Sequence, residues 1–234
     1  MPDSQAPEHF SEWNEQMIRQ YDPDVFHHHP RGIVRWVENR RIAAVLGCTE
    51  ARPEHSILDA GCGTGNILAR LPGERRIGID LSRYMAERAR QRLGERVQVL
   101  LGDAEQLPFP GASFDRVIAS SLFSHVLHPE RVAAELKRVL KPGGRIVVSV
   151  SDEEQIERGL RWARSLRFER WFTGAPGEAR AYNIEYHLHR FSLQRMREVL
   201  GSDMLERGLT RVPTYIFPVH WVAIYETGPS VHNQ

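Results

Sequence analysis

The feature that most constrains the fold is a glycine-rich turn placed directly after a short apolar run. Ser56–Ala60 forms the run, and Gly61, Gly63 and Gly65 follow it at alternate positions. Glycine lets backbone approach a ligand closely and adopt positive φ angles. The pattern therefore predicts a strand followed by a ligand-binding turn. We expect a helix after the turn, whose unpaired N–H groups and dipole would favour an anionic or zwitterionic ligand.

Predicted strands and helices alternate along the middle of the chain. A helix opens at Pro129 and stops at the Lys141–Gly144 turn. The later strands are Arg76–Asp80, Val97–Leu101, Phe114–Ala119 and Arg145–Val150. Short apolar strands separated by helices are typical of a parallel sheet covered on both faces. Such α/β sheets bind ligands outside the carboxyl ends of their strands.

The length of 234 residues fits a single α/β domain with added elements. An amphipathic helix is predicted near Phe10–Ile18, and a second helix is predicted to stop at Gly47. We divide the chain into four parts: an N-terminal helical cap (1–53), a cofactor-binding core (54–150), an insertion or lid (151–190), and a C-terminal helix with strands that complete the sheet (191–234).

Composition argues against several classes of function. The net charge of +1 provides no strong field toward nucleic acid or an anionic membrane, so neither is an expected partner. No basic and apolar leader opens the sequence, and a cytoplasmic location is the expectation. Cys48 and Cys62 form no metal-binding pair, and the adjacent side chains of 27–29, all histidine, diverge too much to share a metal. We therefore expect no metal.

Acidic residues follow the next two predicted strands. Asp80 ends the second strand, about 20 residues after Asp59, where a carboxylate can accept hydrogen bonds from both ribose hydroxyls. Asp103 follows the third strand and could accept from an adenine amino group, although an isolated Asp there is often only a turn residue. A dinucleotide-dependent oxidoreductase is disfavoured, because its turn requires glycine or alanine where this chain has Asn66.

With these motifs in place, residues 57–150 resemble the class I S-adenosylmethionine-dependent methyltransferase domain of quinone-biosynthesis and small-molecule methyltransferases. The matching stretches are Leu58–Gly65, Gly78–Ser82, Gly102–Phe109, Ser113–Val117 and Arg138–Arg145. The resemblance implies a Rossmann-like sheet of seven strands, mostly parallel, with helices on both faces and an antiparallel last strand. Val219–Tyr225 fits that last strand.

The resemblance also implies a role for individual residues around S-adenosylmethionine. Asp59 and the three glycines would hold the methionyl part. The remaining cofactor residues would be Asp80, Leu81 and Met85 at the ribose, Asp103 and Ala104 at the adenine, and Ser120 and Ser121 at the methyl-transfer cleft. In the N-terminal cap, Tyr21 is the candidate lid residue, since an aromatic face attracts a cationic group such as a sulfonium.

Candidate acceptor-side residues are histidines. His125 matches a histidine common in this type of family and could be a general base, or could cap the next helix. His29 could serve as a base from the N-terminal loop. His187 and His189 alternate, so on a strand they would share a face and could line a polar cleft with His125.

Arginine recurs at every third residue from Arg158 to Arg170. Steps of three spiral around a helix, so these side chains do not line one face. A subset could bind an anionic substrate, but a solvated helix is favoured. In that helix the arginines would pair with Glu153, Glu154, Glu157 and Glu169.

These features predict methyl transfer from S-adenosylmethionine to an oxygen, carbon or nitrogen of a small-molecule acceptor, with S-adenosylhomocysteine as the product. The alternative is a cofactor-binding regulatory module that keeps the fold without turnover. A third interpretation, an aminopropyl transferase, lacks an obvious acidic polyamine site. The acceptor and the oligomeric state are left open by the sequence.

Overall fold

The computed structural model describes residues 9–20, 32–165, 187–201, 203–213 and 219–227. Its strands are β1 (Ser56–Ala60), β2 (Arg75–Asp80), β3 (Gln98–Leu101), β4 (Phe114–Ser120), β5 (Leu140–Ser151), β6 (Met204–Val212) and β7 (His220–Thr227). Its helices are α1 (Phe10–Gln20), α2 (Gly32–Thr49), α3 (Arg83–Leu93), α4 (Pro129–Val139), α5 (Glu153–Ser165) and α6 (Leu193–Leu200).

The strands form one seven-stranded sheet in the order β3-β2-β1-β4-β5-β7-β6. Each neighbouring pair among β1 to β5 is parallel, and β7 runs antiparallel to both β5 and β6. The predicted seven-stranded sheet with an antiparallel last strand is therefore confirmed. The chain reverses its strand order at β1 and β4, so the carboxyl ends of these two strands flank the crevice where α/β sheets bind ligands.

Two apolar layers cover the two faces of this sheet. Successive strand residues point to opposite faces, so Ile57 and Ile118 pack with α2 and α3, whereas Leu58 and Val117 pack with α4 and α6. Strands β1 and β4 are therefore buried on both faces, which explains why their sequences are nearly continuous apolar runs.

Two element boundaries differ from the sequence prediction. Gly47 does not end α2, which continues to Thr49. The glycine lies on the exposed face, where it costs only about 1 kcal/mol of helix propensity. Buried Val45 and Thr49 flank it and hold the helix on the sheet, and the Thr49 hydroxyl donates to the Val45 carbonyl at 2.7 Å.

The fifth strand also begins earlier than predicted, at Leu140. The Lys141–Gly144 turn lies inside it, as an irregularity in its pairing with β4 between Phe114 and Arg116. The glycines that predicted a helix stop therefore also lie where the pairing of β5 with β4 is interrupted. Among the residues that the structure describes, no helix combines the length and apolar character needed to cross a membrane.

Candidate functional site

The glycine-rich turn leaves β1 at its carboxyl end. Gly61, Gly63 and Gly65 all have positive φ angles, of 68°, 53° and 78°. A Cβ on Gly61 would stand 2.7 Å from a methyl of Leu122, whereas one on Gly63 would meet nothing within 4 Å. Gly61 is thus favoured by its positive φ and lies against Leu122 of the segment after β4, whereas Gly63 faces open space that a ligand can occupy.

The helix expected after this turn is absent from the structure. Residues Leu68–Arg70 form a single 3-10 turn, and its N-terminus has no side-chain cap. Pro72 follows soon after and cannot donate a backbone hydrogen bond, so little chain is left for a longer helix. The predicted helix dipole at this turn was therefore wrong, and the binding capacity rests on backbone and side-chain groups.

Asp80, at the end of β2, connects the turn to α3. Its Oδ2 accepts from the Gly63 N–H at 2.8 Å, and its Oδ1 accepts from the Ser82 N–H at 3.0 Å. Burial raises the pKa of Asp80, while these two backbone donors act in the opposite direction. Each carboxylate oxygen has two acceptor sites, so the hydrogen bonds to the turn leave capacity for hydroxyls of a ligand.

Asp59 lies within β1 and is almost fully buried, with 1% of its surface exposed. Its Oδ1 is buried and accepts no hydrogen bond from the described residues. Burial, then the charge of Asp80, raises the pKa of Asp59 from 3.8 to about 8, although Arg41 lowers it. A buried polar atom without a partner is costly. An ammonium group, such as that of a methionyl ligand, would satisfy it.

The predicted adenine and ribose neighbours divide into exposed and core residues. Asp103 is exposed, and its Oδ1 accepts from the Glu105 N–H at 2.8 Å, the turn role that the sequence left open. Leu81 is partly buried, but Ala104 and Met85 belong to the core, with 7% and 1% of their surface exposed. The last two offer a ligand little beyond their backbone.

Ser120 and Ser121 lie at the carboxyl end of β4, as predicted. The Ser120 hydroxyl hydrogen-bonds the Ser149 hydroxyl at 2.9 Å, and Ser121 has a φ of 57°. A buried residue that sequence reasoning missed organises this edge. Arg41, from α2, donates to Ser120 in a short hydrogen bond and to Ser149 at 3.3 Å, and it pairs with Glu38.

The ion pair with Glu38 keeps the guanidinium of Arg41 charged despite its burial. Burial alone would lower the pKa of Arg41, but Glu38 and, more weakly, Asp59 raise it. Burial and then Arg41 lower the pKa of His220 on β7 to about 4, so this histidine is neutral at physiological pH. Nothing in the sequence indicated this cluster except the Glu38–Arg41 spacing of one helical turn.

A second polar cluster lies after β4 and β5. His125 ends the 3-10 turn Phe123–His125, and its ring centroid lies 4.6 Å from that of His187. Glu153 Oε1 lies 2.5 Å from His187 Nδ1. The predicted closeness of His125 and His187 is thus found. It does not come from a strand, because 187–190 has no regular secondary structure.

Two other expectations for this region were wrong. Glu153 is not a solvated partner of the arginine series, since only 4% of its side chain is exposed and it faces His187. His189 is directed elsewhere, because its Nε2 donates to the Leu127 carbonyl at 3.1 Å. The arginine pairing holds for Arg158, which contacts Glu154 at 2.6 Å. The candidates Tyr21 and His29, and the later arginines 167 and 170, lie outside the described residues.

Helix α1 contacts the cofactor side of the sheet through one side chain that the sequence did not single out. Glu15 accepts from the Ser82 hydroxyl at 2.6 Å and from the Tyr84 N–H at 3.2 Å, at the start of α3. Burial raises the pKa of Glu15, but its hydrogen bonds from Ser82, Arg19 and Tyr84 together outweigh this and lower it. The α1 helix is thereby fastened beside Asp80.

Comparison with known proteins identifies a domain within the chain. The family model described as a methyltransferase domain matches residues 58–148, from β1 to β5. This range contains the glycine-rich turn, Asp80, Asp103 and both serines of the β4 edge. Residues 58–148 form a class I S-adenosylmethionine-dependent methyltransferase domain.

Individual relatives agree with this methyltransferase domain. The demethylmenaquinone methyltransferase of Symbiobacterium thermophilum is 34% identical over 130 residues, which cover 51% of this chain and 49% of that protein. A probable tocopherol O-methyltransferase of rice chloroplasts is 36% identical over 129 residues, covering 51% of this chain and 35% of the relative. The chain thus spans half or less of the length of these curated relatives.

A solved structure extends the likeness beyond the methyltransferase domain. The protein from Thermotoga maritima described as a possible histamine N-methyltransferase superposes with a TM-score of 0.66 over 94% of this chain and all of that one. At 23% identity this likeness concerns the fold alone. The superposition therefore extends beyond the residues matched by the family model.

Proposed function

We propose that this protein transfers the methyl group of S-adenosylmethionine to an oxygen, carbon or nitrogen of a small-molecule acceptor. The observation that carries the proposal is the unpartnered, buried Asp59 carboxyl oxygen beside a glycine turn whose middle residue faces open space. The ammonium group of a methionyl ligand suits this carboxyl group, and the open space beside Gly63 gives the ligand room against the turn.

In this proposal each strand end holds one part of the cofactor. Asp59 and the turn residues Gly61, Gly63 and Gly65 bind the methionyl part, and Asp80 binds the ribose hydroxyls beside Leu81. Asp103 and the backbone of Ala104 flank the adenine, and Tyr21 covers the site from the N-terminal segment. Ser120 and Ser121 line the cleft toward the acceptor.

The bound cofactor supplies an electrophilic methyl group on a sulfonium, from which a neutral thioether departs as a good leaving group. The protein's residues then align the acceptor and exclude water, which accounts for much of the rate in an in-line displacement. Arg41 holds Ser120 and Ser149 in fixed positions at this edge. The acceptor would bind beyond them, near His125, His187 and His189, with His29 as a further candidate.

The test is calorimetric titration of the full chain with S-adenosylmethionine and S-adenosylhomocysteine. We expect micromolar binding that Asp80→Ala weakens by about 1–3 kcal/mol, the usual loss for a hydrogen bond to a charged group. Asp203→Ala is the matched control, since Asp203 is a 65% exposed carboxylate that pairs with Lys137. A folded protein that binds neither compound would refute the proposal, and equal losses in both variants would remove Asp80 from the site.

A further inference from the structure

Glu153, His187 and His125 form a cluster that is not among the groups proposed above to hold the cofactor. Glu153 is the second residue after β5, and His125 ends the turn that follows β4, so both lie at the carboxyl edge of the sheet. The segment that carries His187 is fixed to this edge, because the N–H groups of Leu188 and His189 both approach the Ser124 carbonyl, at 2.8 and 3.3 Å. The rings are therefore held in place by backbone hydrogen bonds.

This cluster borders the glycine-rich turn. Leu122 lies three residues before His125 and packs directly on Gly61, where an added Cβ would be only 2.7 Å away. The side of the cleft at β1 to β3 carries the groups suited to the cofactor, and the side at β4 and β5 carries the imidazoles. An acceptor between the two sides would lie against the histidines.

Glu153 has the surroundings of a residue that orients a partner. Only 4% of its side chain is exposed, Oε1 contacts His187 Nδ1 at 2.5 Å, and Oε2 has no hydrogen bond from the described residues. The guanidinium of Arg190 stands 3.9 Å from Oε2. A carboxylate at this position accepts a hydrogen bond from the Nδ1–H group. The neutral ring then carries its free lone pair on Nε2. Nothing in the described part of the chain hydrogen-bonds that Nε2.

The geometry points to Glu153–His187 as a base pair that deprotonates the acceptor, and we propose that the acceptor carries a weakly acidic hydroxyl. This inference rests on the methyl transfer proposed above. His187 Nε2 takes the hydroxyl proton as an oxygen lone pair forms the new O–CH₃ bond. The electron pair of the broken S–CH₃ bond stays on sulfur, giving S-adenosylhomocysteine, a methyl ether and an imidazolium paired with Glu153. With 19% of its side chain exposed, His187 can then return the proton to solvent.

The surroundings favour a neutral hydroxyl over other acceptors. A carboxylic acid is ionised at neutral pH and needs no base. An ammonium would lie between the sulfonium and the Arg190 guanidinium, with the nearest carboxylate already occupied by His187. An imidazole base is suited to a phenol or enol, whose ordinary pKa is near 10, and poorly suited to the much less acidic aliphatic alcohol.

His125 and His189 differ from His187 in this arrangement. His189 donates to the Leu127 carbonyl and so fixes the segment. His125 supplies the ring face or edge against which His187 rests. In the part of the chain that the structure describes, no three or more His, Cys, Asp or Glu side chains are placed to hold a metal ion.

The test uses 4-nitrophenol, 4-cresol and the matched amine p-toluidine as probes, with formation of S-adenosylhomocysteine as the readout. We expect the wild-type full chain to methylate the phenols in preference to the amine. Glu153→Gln and His187→Ala should each lower kcat by at least about 100-fold, the lower end for loss of a general base or its orienting group. Added imidazole should partly restore the activity of His187→Ala, which a merely structural role of His187 would not explain.

Glu154→Gln is the control, because Glu154 is a 77% exposed neighbour on the same helix. Binding of S-adenosylmethionine, measured on the same samples, separates the two proposals. Absence of binding in the wild type overturns the methyltransferase function. Normal binding with no phenol methylation, with amine preferred, or with Glu153→Gln as active as Glu154→Gln, overturns only the base pair and its acceptor class.

Discussion

At the residue scale, the site is dominated by carboxyl groups that burial keeps from ionising easily. Asp59 and Asp80 lie close enough to influence one another, and both have raised pKa values. Arg41 is the nearby cation that opposes this for Asp59. A cationic group of a bound ligand would favour the ionised form of Asp59. Ligand binding should therefore be coupled to loss of a proton from this carboxyl group.

We predict that binding of S-adenosylmethionine near pH 7 releases a proton from Asp59. With a pKa of about 8, this carboxyl is mostly protonated at pH 7, and a neighbouring ammonium would lower its pKa. Calorimetry in buffers of different ionisation enthalpy measures the release. Asp59→Asn has no proton to lose, so the variant should release fewer protons than the wild type. Identical release by both proteins would exclude Asp59 as the source.

Sequence reasoning found some of these residues and missed others for a physical reason. Asp59, Asp80 and Asp103 could be predicted because each is attached to the end of a recognisable strand. Arg41 and Glu153 could not, because their partners lie far along the chain: Ser120 is 79 residues from Arg41, and His187 is 34 residues from Glu153. Such pairs depend on how α2 and the segment after α5 pack, which no local pattern specifies.

At the element scale, α2 is fixed to the sheet by a buried ion pair as well as by apolar contacts. Arg41 and Glu38 have side chains only 10% and 12% exposed, and Arg41 also reaches the hydroxyls at the ends of β4 and β5. A buried pair of this kind contributes little net stability compared with apolar residues, but removal of one member leaves an uncompensated charge.

We predict that Arg41→Met lowers the free energy of unfolding by about 3–5 kcal/mol, because it removes the guanidinium that pairs with the Glu38 carboxylate at this buried position. The double variant Glu38→Leu with Arg41→Met should recover most of that loss. Urea denaturation of the two single variants and the double variant gives the coupling energy. Additive losses would mean that the two side chains do not act as a pair.

The contact of α1 with α3 gives a separate prediction. Glu15→Ala removes the acceptor for Ser82 and Tyr84, so the amides of α1 should exchange with solvent faster while those of α3 to β7 keep their protection. Glu12→Ala, an exposed carboxylate in the first turn of the same helix, is the control and should leave exchange unchanged. Hydrogen exchange that rises equally in both variants would remove the special role of Glu15.

Helices and strands were predictable where the apolar pattern agreed with the glycine and proline residues at their ends. The strands β1 to β4 and the antiparallel last strand begin and end within a few residues of their predicted positions, whereas β5 begins earlier than predicted and β6 had no predicted bounds. The missing helix after β1 shows the opposite case, because analogy with other nucleoside-binding turns predicted it while Gly65 and Pro72 left too few residues to form it. The number of residues between Gly65 and Pro72 therefore predicts the structure of this segment better than the analogy does.

At the scale of the whole molecule, Asp59 should make the stability depend on pH. Its folded pKa of about 8 exceeds its ordinary value of 3.8, so its contribution is fully present below about pH 4 and is lost as the pH rises toward 8. The free energy of unfolding should therefore decline more steeply across this range in the wild type than in Asp59→Asn. Thermal unfolding at matched pH values would show this, and parallel curves would contradict it.

The order of the strands has a consequence for folding during synthesis on the ribosome. β7 pairs with β5 on one side and β6 on the other, yet it is made after both. Until residues 220–227 emerge, the edges of β5 and β6 that will face it have no strand partner, and open edges invite pairing with other chains. A nascent chain halted before β7 should therefore be the form most prone to aggregate, and the one most in need of a chaperone.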